Sequence, residues 1–70
     1  MPFANLKVPA GTLSAEQKQT LVEKVTDLYA DTFGDAVRDN TMVLVDEVVD
    51  GGWGLRGEVL TLAKLQQRHD

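Results

Sequence analysis

The sequence predicts an α/β fold, a β-α-β unit with a parallel two-strand core followed by a C-terminal hairpin or short helix, assembled as an oligomer. Three observations carry that expectation. The first residues alternate apolar and polar, the middle of the chain repeats at helical spacing, and a β-branched run follows about 33 residues after the first stretch. Two strands joined by a connection that long, with a helix inside it, are expected to lie parallel and in a right-handed crossover.

In the first element, Met1-Pro2-Phe3-Ala4-Asn5-Leu6-Lys7-Val8, residues Ala4, Leu6 and Val8 share one side of an extended chain. Phe3, Asn5 and Lys7 share the other. Pro2 is tolerated because the first position of a strand owes no ladder hydrogen bond. Pro9-Ala10-Gly11-Thr12 then forms a turn. Ser14 and Gln17 match a capping box, in which the serine hydroxyl and the glutamine side chain satisfy each other's backbone N–H. From there Leu21, Val22, Val25, Leu28, Tyr29 and Thr32/Phe33 form one apolar stripe on a helix of about five turns that ends at Gly34.

Asp35 to Asn40 reads as a polar connection, and Thr41 to Val49 as the second strand. Apolar residues on both of its faces suggest cover on two sides. One helix cannot shield both faces of a two-stranded sheet, so one face is left for another copy. Asp50 to Gly57 holds four of the six glycines, which marks tight turns or close approach. Val59 to Leu65 fits either a short helix or an edge strand, and Gln66 to Asp70 reads as a frayed end.

Residues 1–70 make one domain, and a chain this short is marginal alone. Small folds compensate with disulfides, metals or assembly. No cysteine is present, and the single His69 cannot build a metal site, so a homo-oligomer is expected and no metal. Seven basic against eleven acidic residues, net −4, argue against nucleic acid or an anionic membrane as partner. The apolar runs are far shorter than the roughly 18–20 residues that span a bilayer. No signal peptide pattern is visible, which with the missing cysteine points to the cytoplasm.

Several motifs resolve into bland readings. Gly52-x-Gly54-x-x-Gly57 matches a dinucleotide fingerprint, but only thirteen residues follow Gly57, too few for the helix, strand and acidic residue that fingerprint needs. Asp46 and Glu47 are adjacent in a strand and point to opposite faces, so they are no catalytic pair. His69 lies in a chain end, which leaves no Ser/His/Asp set. Trp53 between glycines is either core packing or the wall of a pocket, since aromatics serve in both. Pro2 is the remaining candidate: if Met1 is removed, the strand begins with a secondary amine beside apolar walls. An amino terminus titrates near pH 8, and burial lowers an amine's pKa toward the range where a general base works best.

Pro2 opening an alternating strand, Ser14-x-Glu16-Gln17-Lys18 with Thr20-Leu21, Val43 to Glu47, and Gly51-x-Trp53-Gly54-x-x-Gly57-Glu58 occur here in one order and spacing. With them the chain resembles the tautomerase superfamily, in particular its 4-oxalocrotonate tautomerase-like subgroup. The resemblance implies β-α-β units assembled as homohexamers, removal of Met1, and a cofactor-free isomerase. It implies that Pro2 is the general base in enol–keto tautomerisation of a 2-oxo acid or related enol. Trp53 matches an aromatic pocket wall supplied by another subunit.

Where members acting on dicarboxylates carry two arginines, this chain has Thr12 and Met42, and neither makes a charge-assisted bond to a carboxylate. Pro9 stands where the family offers a backbone N–H. Arg56, three residues after Trp53, is the candidate replacement clamp for an anionic small molecule. Three functional expectations stand side by side. The first is the tautomerase with Pro2 as base. The second is a hydratase- or dehalogenase-like relative in which protonated Pro2 is an acid. The third is a non-catalytic oligomer that has lost its anion clamps.

Overall fold

A computed structural model describes residues 2–67 of the chain. Strand β1 (Phe3–Pro9), helix α1 (Ala15–Phe33), a 3-10 helix (Asp35–Asn40), strand β2 (Met42–Val48), strands β3 (Trp53–Leu55) and β4 (Glu58–Leu60), and helix α2 (Leu62–Gln67) follow in order. The expected β-α-β unit is present: β1 and β2 pair in parallel from Phe3↔Met42 to Pro9↔Val48. The C-terminal segment resolves its two alternatives by containing both, an antiparallel β3–β4 hairpin and then a short helix.

The capping box is complete. Gln17 N–H donates to Ser14 Oγ at 3.1 Å, and Ser14 N–H donates to Gln17 Oε1 at 2.9 Å. At the other end Gly34 N–H closes the helix on Ala30 O at 2.8 Å, and φ of +105° explains the glycine there. The polar connection is itself ordered as a 3-10 helix, with Arg38 donating to Asp35 three residues before it.

Helix α1 lies over one face of the sheet, where Lys18 reaches Glu47 at 2.8 Å. On the helix-free face Lys7 pairs with Asp46 at 2.6 Å. These two ion pairs confirm that Asp46 and Glu47 point to opposite faces, as strand alternation requires. The two-sided cover expected for β2 is not supplied by the described residues. The sheet order is simply β1-β2, so β2 has a free edge and a face without a helix. That face presents Phe3, Met42 and Leu44, all exposed. The helical stripe is also only partly covered: Val22, Val25 and Tyr29 are half-buried, whereas Leu28 and Phe33 are 60% and 64% exposed.

Only Ala4 and Ala30 count as buried hydrophobics among the described residues. The chain exposes 5263 Å², against roughly 4,300 Å² for a self-contained protein of this mass. Its radius of gyration is 15.0 Å, against about 11 Å for a compact chain of this length. The β-α-β unit and the hairpin arm form an elongated body of 42 × 24 × 18 Å with no deep core.

Candidate active site

Pro2 sits one residue ahead of β1 and is half-buried. Its carbonyl accepts the Met42 N–H at 3.0 Å, immediately before the first rung, Phe3↔Met42. Proline has no N–H, so its only backbone contribution to the ladder is that carbonyl. The bond therefore fixes the residue while leaving its nitrogen outside the sheet's hydrogen bonding. Phe3 and Met42, each 53% exposed, stand beside it as apolar neighbours in the ladder.

The arginine that precedes β2 is already engaged. Arg38 Nη1 donates to Asp27, and Arg38 Nε donates to Asp35 at 2.7 Å. The hydrogen bond to Asp27, and then the one to Asp35, hold the guanidinium pKa above its ordinary value. A cation held by two carboxylates has little charge left for an external anion. Thr12, at one position where relatives of the dicarboxylate type would carry arginine, donates its hydroxyl to Pro9 O at 2.7 Å and so closes its own turn. Met42, at the other, is apolar and exposed.

Trp53 and Arg56 belong to the opposite end of the sheet. Trp53 opens β3 and pairs with Leu60. It is half-buried, and its indole Nε1 is buried with no hydrogen-bond partner. Arg56 and Gly57 form the two-residue hairpin loop with φ of +55° and +78°. Positive φ at both loop positions defines a type I′ turn, whose twist suits the flanking strands. Glycine adopts that conformation freely, but arginine does so with strain. Arg56 is exposed, and among the described residues it makes no ion pair.

Pro2 and the hairpin are separated by the whole of β2, whose seven residues span roughly 20 Å. One protomer therefore does not bring Pro2 together with Trp53 and Arg56. Two surface grooves lie elsewhere, and neither is lined by Pro2, Trp53 or Arg56. One, of about 390 Å³, lies along Leu13, Glu16, Gln17, Thr20, Leu21 and Lys24. The other, of about 340 Å³, lies between Gly11, Thr12 and helix α2.

Sequence reasoning missed Asp50, which holds the foot of the hairpin by accepting the Leu62 N–H at 2.8 Å. No sequence signal pointed to it, because its partner is a backbone group twelve residues away. His69 lies outside the described residues. Among those residues no three His, Asp or Glu side chains converge on a metal position, and no helix is long and apolar enough to cross a membrane.

The fold agrees with comparisons to known proteins. The tautomerase enzyme family model matches residues 2–63, beginning at Pro2. A probable tautomerase K2 of Dickeya dadantii is 39% identical over 66 residues, 94% of this chain and 97% of the relative. A probable tautomerase of Helicobacter pylori is 42% identical over 60 residues, 83% of this chain and 87% of the relative. Among solved structures, one from a study of 4-oxalocrotonate tautomerase isozymes of Methylibium petroleiphilum superposes with a TM-score of 0.74 at 31% identity. It covers 91% of this chain and 97% of that one. DmpI from Helicobacter pylori superposes with a TM-score of 0.73 at 34% identity, over 99% and 98% of the two chains. The chain belongs to the tautomerase family, and a tautomerase-type, isomerase activity is the function this membership supports.

Proposed function

We propose that the protein is a cofactor-independent tautomerase of a 2-oxo acid or related enol, with Pro2 as general base once Met1 is removed. The observation that carries this reading is the placement of Pro2, pinned by its carbonyl at the head of the parallel pair with its nitrogen outside the ladder. An amine held there beside Phe3 and Met42 takes the proton of the enol hydroxyl and returns it to a carbon of the enol or dienol system, so that the O–H bond breaks, the carbonyl forms and a C–H bond is made. Ring constraint and partial desolvation keep it in place and poised near working pH.

The remaining parts of the site come from a neighbouring copy. Trp53 is the wall and Arg56 the clamp for the substrate's carboxylate, both carried on the neighbour's hairpin. Support comes from the distance along β2 within one chain and from the surface the chain leaves uncovered. The excess exposed area, of order 900 Å², is close to the roughly 800 Å² per partner of a stable interface. The helix-free face with Phe3, Met42 and Leu44 is the surface to be covered. A homohexamer is the assembly this reading expects.

Ketonisation of phenylenolpyruvate and 2-hydroxymuconate tests the proposal, with Pro2→Ala measured beside the parent. Activity in the parent that is lost in the variant supports it, while activity that survives Pro2→Ala excludes the mechanism. The alternative, an oligomer without catalysis, is favoured by Thr12 and Met42 and predicts no turnover of any enol.

A further inference from the structure

The hairpin arm contains features that a free-standing hairpin would not sustain. Its strands are three residues each, and two short strands alone are at best marginally stable in water. Arg56 occupies a left-handed conformation at φ +55°. The Trp53 indole N–H is buried without an acceptor, which costs stability on its own. Unfavourable local features of this kind persist only where surrounding structure over-determines them. Something outside the β3–β4 ladder must therefore hold the arm.

We propose that Asp50 is the positioning residue that sets Trp53, and through it the wall of the active site. The inference rests on the tautomerase reading for its kinetic consequence, but not for its structural one. Asp50 lies just past β2, and its Oδ1 accepts the Leu62 N–H at 2.8 Å. Leu62 in turn lies two residues beyond Leu60, the partner of Trp53 in the ladder. The single bond thus closes the segment from Asp50 to Leu62 around the Trp53–Leu60 rung and fastens the far foot of the hairpin to the end of the sheet.

The near foot is fixed by the backbone. Gly52 N–H donates to Val49 O at 2.9 Å, with Gly51 at φ +83°. A Cβ on Gly52 would lie 2.8 Å from Val48 Cγ1 and 2.9 Å from Val49 O, so the chain there is pressed against the strand end. The end of β2 is itself held by the Ala10 N–H, which donates to Val48 O at 2.7 Å. Lys64 completes the bracket from the helix side, donating to Glu58 Oε1 at 2.7 Å and to Val59 O at 2.8 Å. Lys64 binds α2 to β4 within the arm, whereas Asp50 relates the arm to the sheet. Loss of Asp50 therefore leaves the ladder intact and releases the far foot, while the near foot stays held at Gly52.

Trp53 is the sole tryptophan, so its fluorescence reports the position of the arm directly. Asp50→Ala is expected to red-shift the emission and raise acrylamide quenching, with helical circular dichroism and oligomer size unchanged. On the enol substrates it is expected to raise KM roughly tenfold with a smaller change in kcat, as misplacement of a binding wall predicts. Asp50→Asn keeps the acceptor oxygen and should restore both emission and KM.

Leu62→Pro supplies an independent arm, because it deletes the N–H donor at a first helical position where proline is tolerated. It should reproduce the Asp50→Ala emission, and it stands in should Asp50→Ala fail to fold. Emission and quenching unchanged in both variants would overturn the proposal, as would Asp50→Asn behaving like Asp50→Ala. A shifted emission with unaltered KM in an active enzyme would overturn it too, since Trp53 would then be no wall. The fluorescence needs no substrate, so an inactive parent defeats the proposed function while the hold of Asp50 on Trp53 is still measured.

Discussion

The two ends of the parallel sheet are built by opposite means. At the Pro2 end the backbone does the work: a carbonyl accepts from Met42, the ladder begins, and the nearby Arg38 is neutralised by Asp27 and Asp35. At the hairpin end side chains do the work. Asp50 and Lys64 brace two short strands whose loop arginine is strained and makes no ion pair among the described residues, beside a tryptophan with an unsatisfied N–H. The difference teaches how a small chain distributes a site. The residue proposed to move protons is held by a backbone bond at the head of the parallel pair, and the arginine that precedes β2 is already paired. The groups proposed to recognise the substrate stand on an arm at the other end of β2, Arg56 exposed and Trp53 half-buried.

The largest effect is expected at the Pro2 end. Pro2→Ala should lower the ketonisation rate by about 10²–10⁴-fold, the usual worth of a positioned acid–base group, while circular dichroism stays that of the parent. Next in size is the effect on the proposed assembly. Leu44→Lys puts a charge on the helix-free face, and light scattering should report smaller species with activity that falls on dilution. A hexamer-sized, fully active Leu44→Lys would show that this face is not covered in the protein.

At the hairpin end Arg56→Gly removes the guanidinium and relieves the left-handed strain together. KM for a carboxylate substrate should rise about tenfold or more, given 1.5–3 kcal/mol for a hydrogen bond to a charged group. Denaturant unfolding should show a gain of about 1 kcal/mol. Unchanged KM would remove Arg56 from recognition and leave it as a turn residue. The smallest effect lies far from both ends: Ser14→Ala removes half of the capping box and should cost about 1 kcal/mol by thermal or denaturant unfolding, without altering KM.

Much of this was legible in the order of residues. Ser14 and Gln17 announced the start of α1 because a capping box is local chemistry, and Gly34 announced its end. Alternation in Phe3–Val8 and the β-branched run after Thr41 gave the strands, and the long connection between them gave their parallel sense. Periodicity alone did not say which apolar residues would be covered. Leu28 and Phe33 lie on the same helical stripe as Val25 and Tyr29 but face outward in the protomer.

The hairpin was the least legible region. Its I′ loop is Arg-Gly, not the Asn-Gly or Asp-Gly that usually signals such a turn. The bond from Asp50 to Leu62 exists only after the hairpin has closed, so no local pattern encodes it. The candidate residues Pro2, Trp53 and Arg56 could be named from sequence, and the parallel pairing already put Pro2 at one end of the sheet and the other two beyond the opposite end.

The central claim is that Pro2 of one copy works with the hairpin of another, and subunit exchange tests it directly. Two variants, Pro2→Ala and the double Trp53→Ala/Arg56→Gly, are each expected to be nearly inactive alone. Mixed, dissociated and reassembled together, they should regain activity, because some sites then pair an intact Pro2 with an intact hairpin. No recovery in assemblies shown to contain both chains would contradict the account, since every protomer would then carry its own complete site and its own defect.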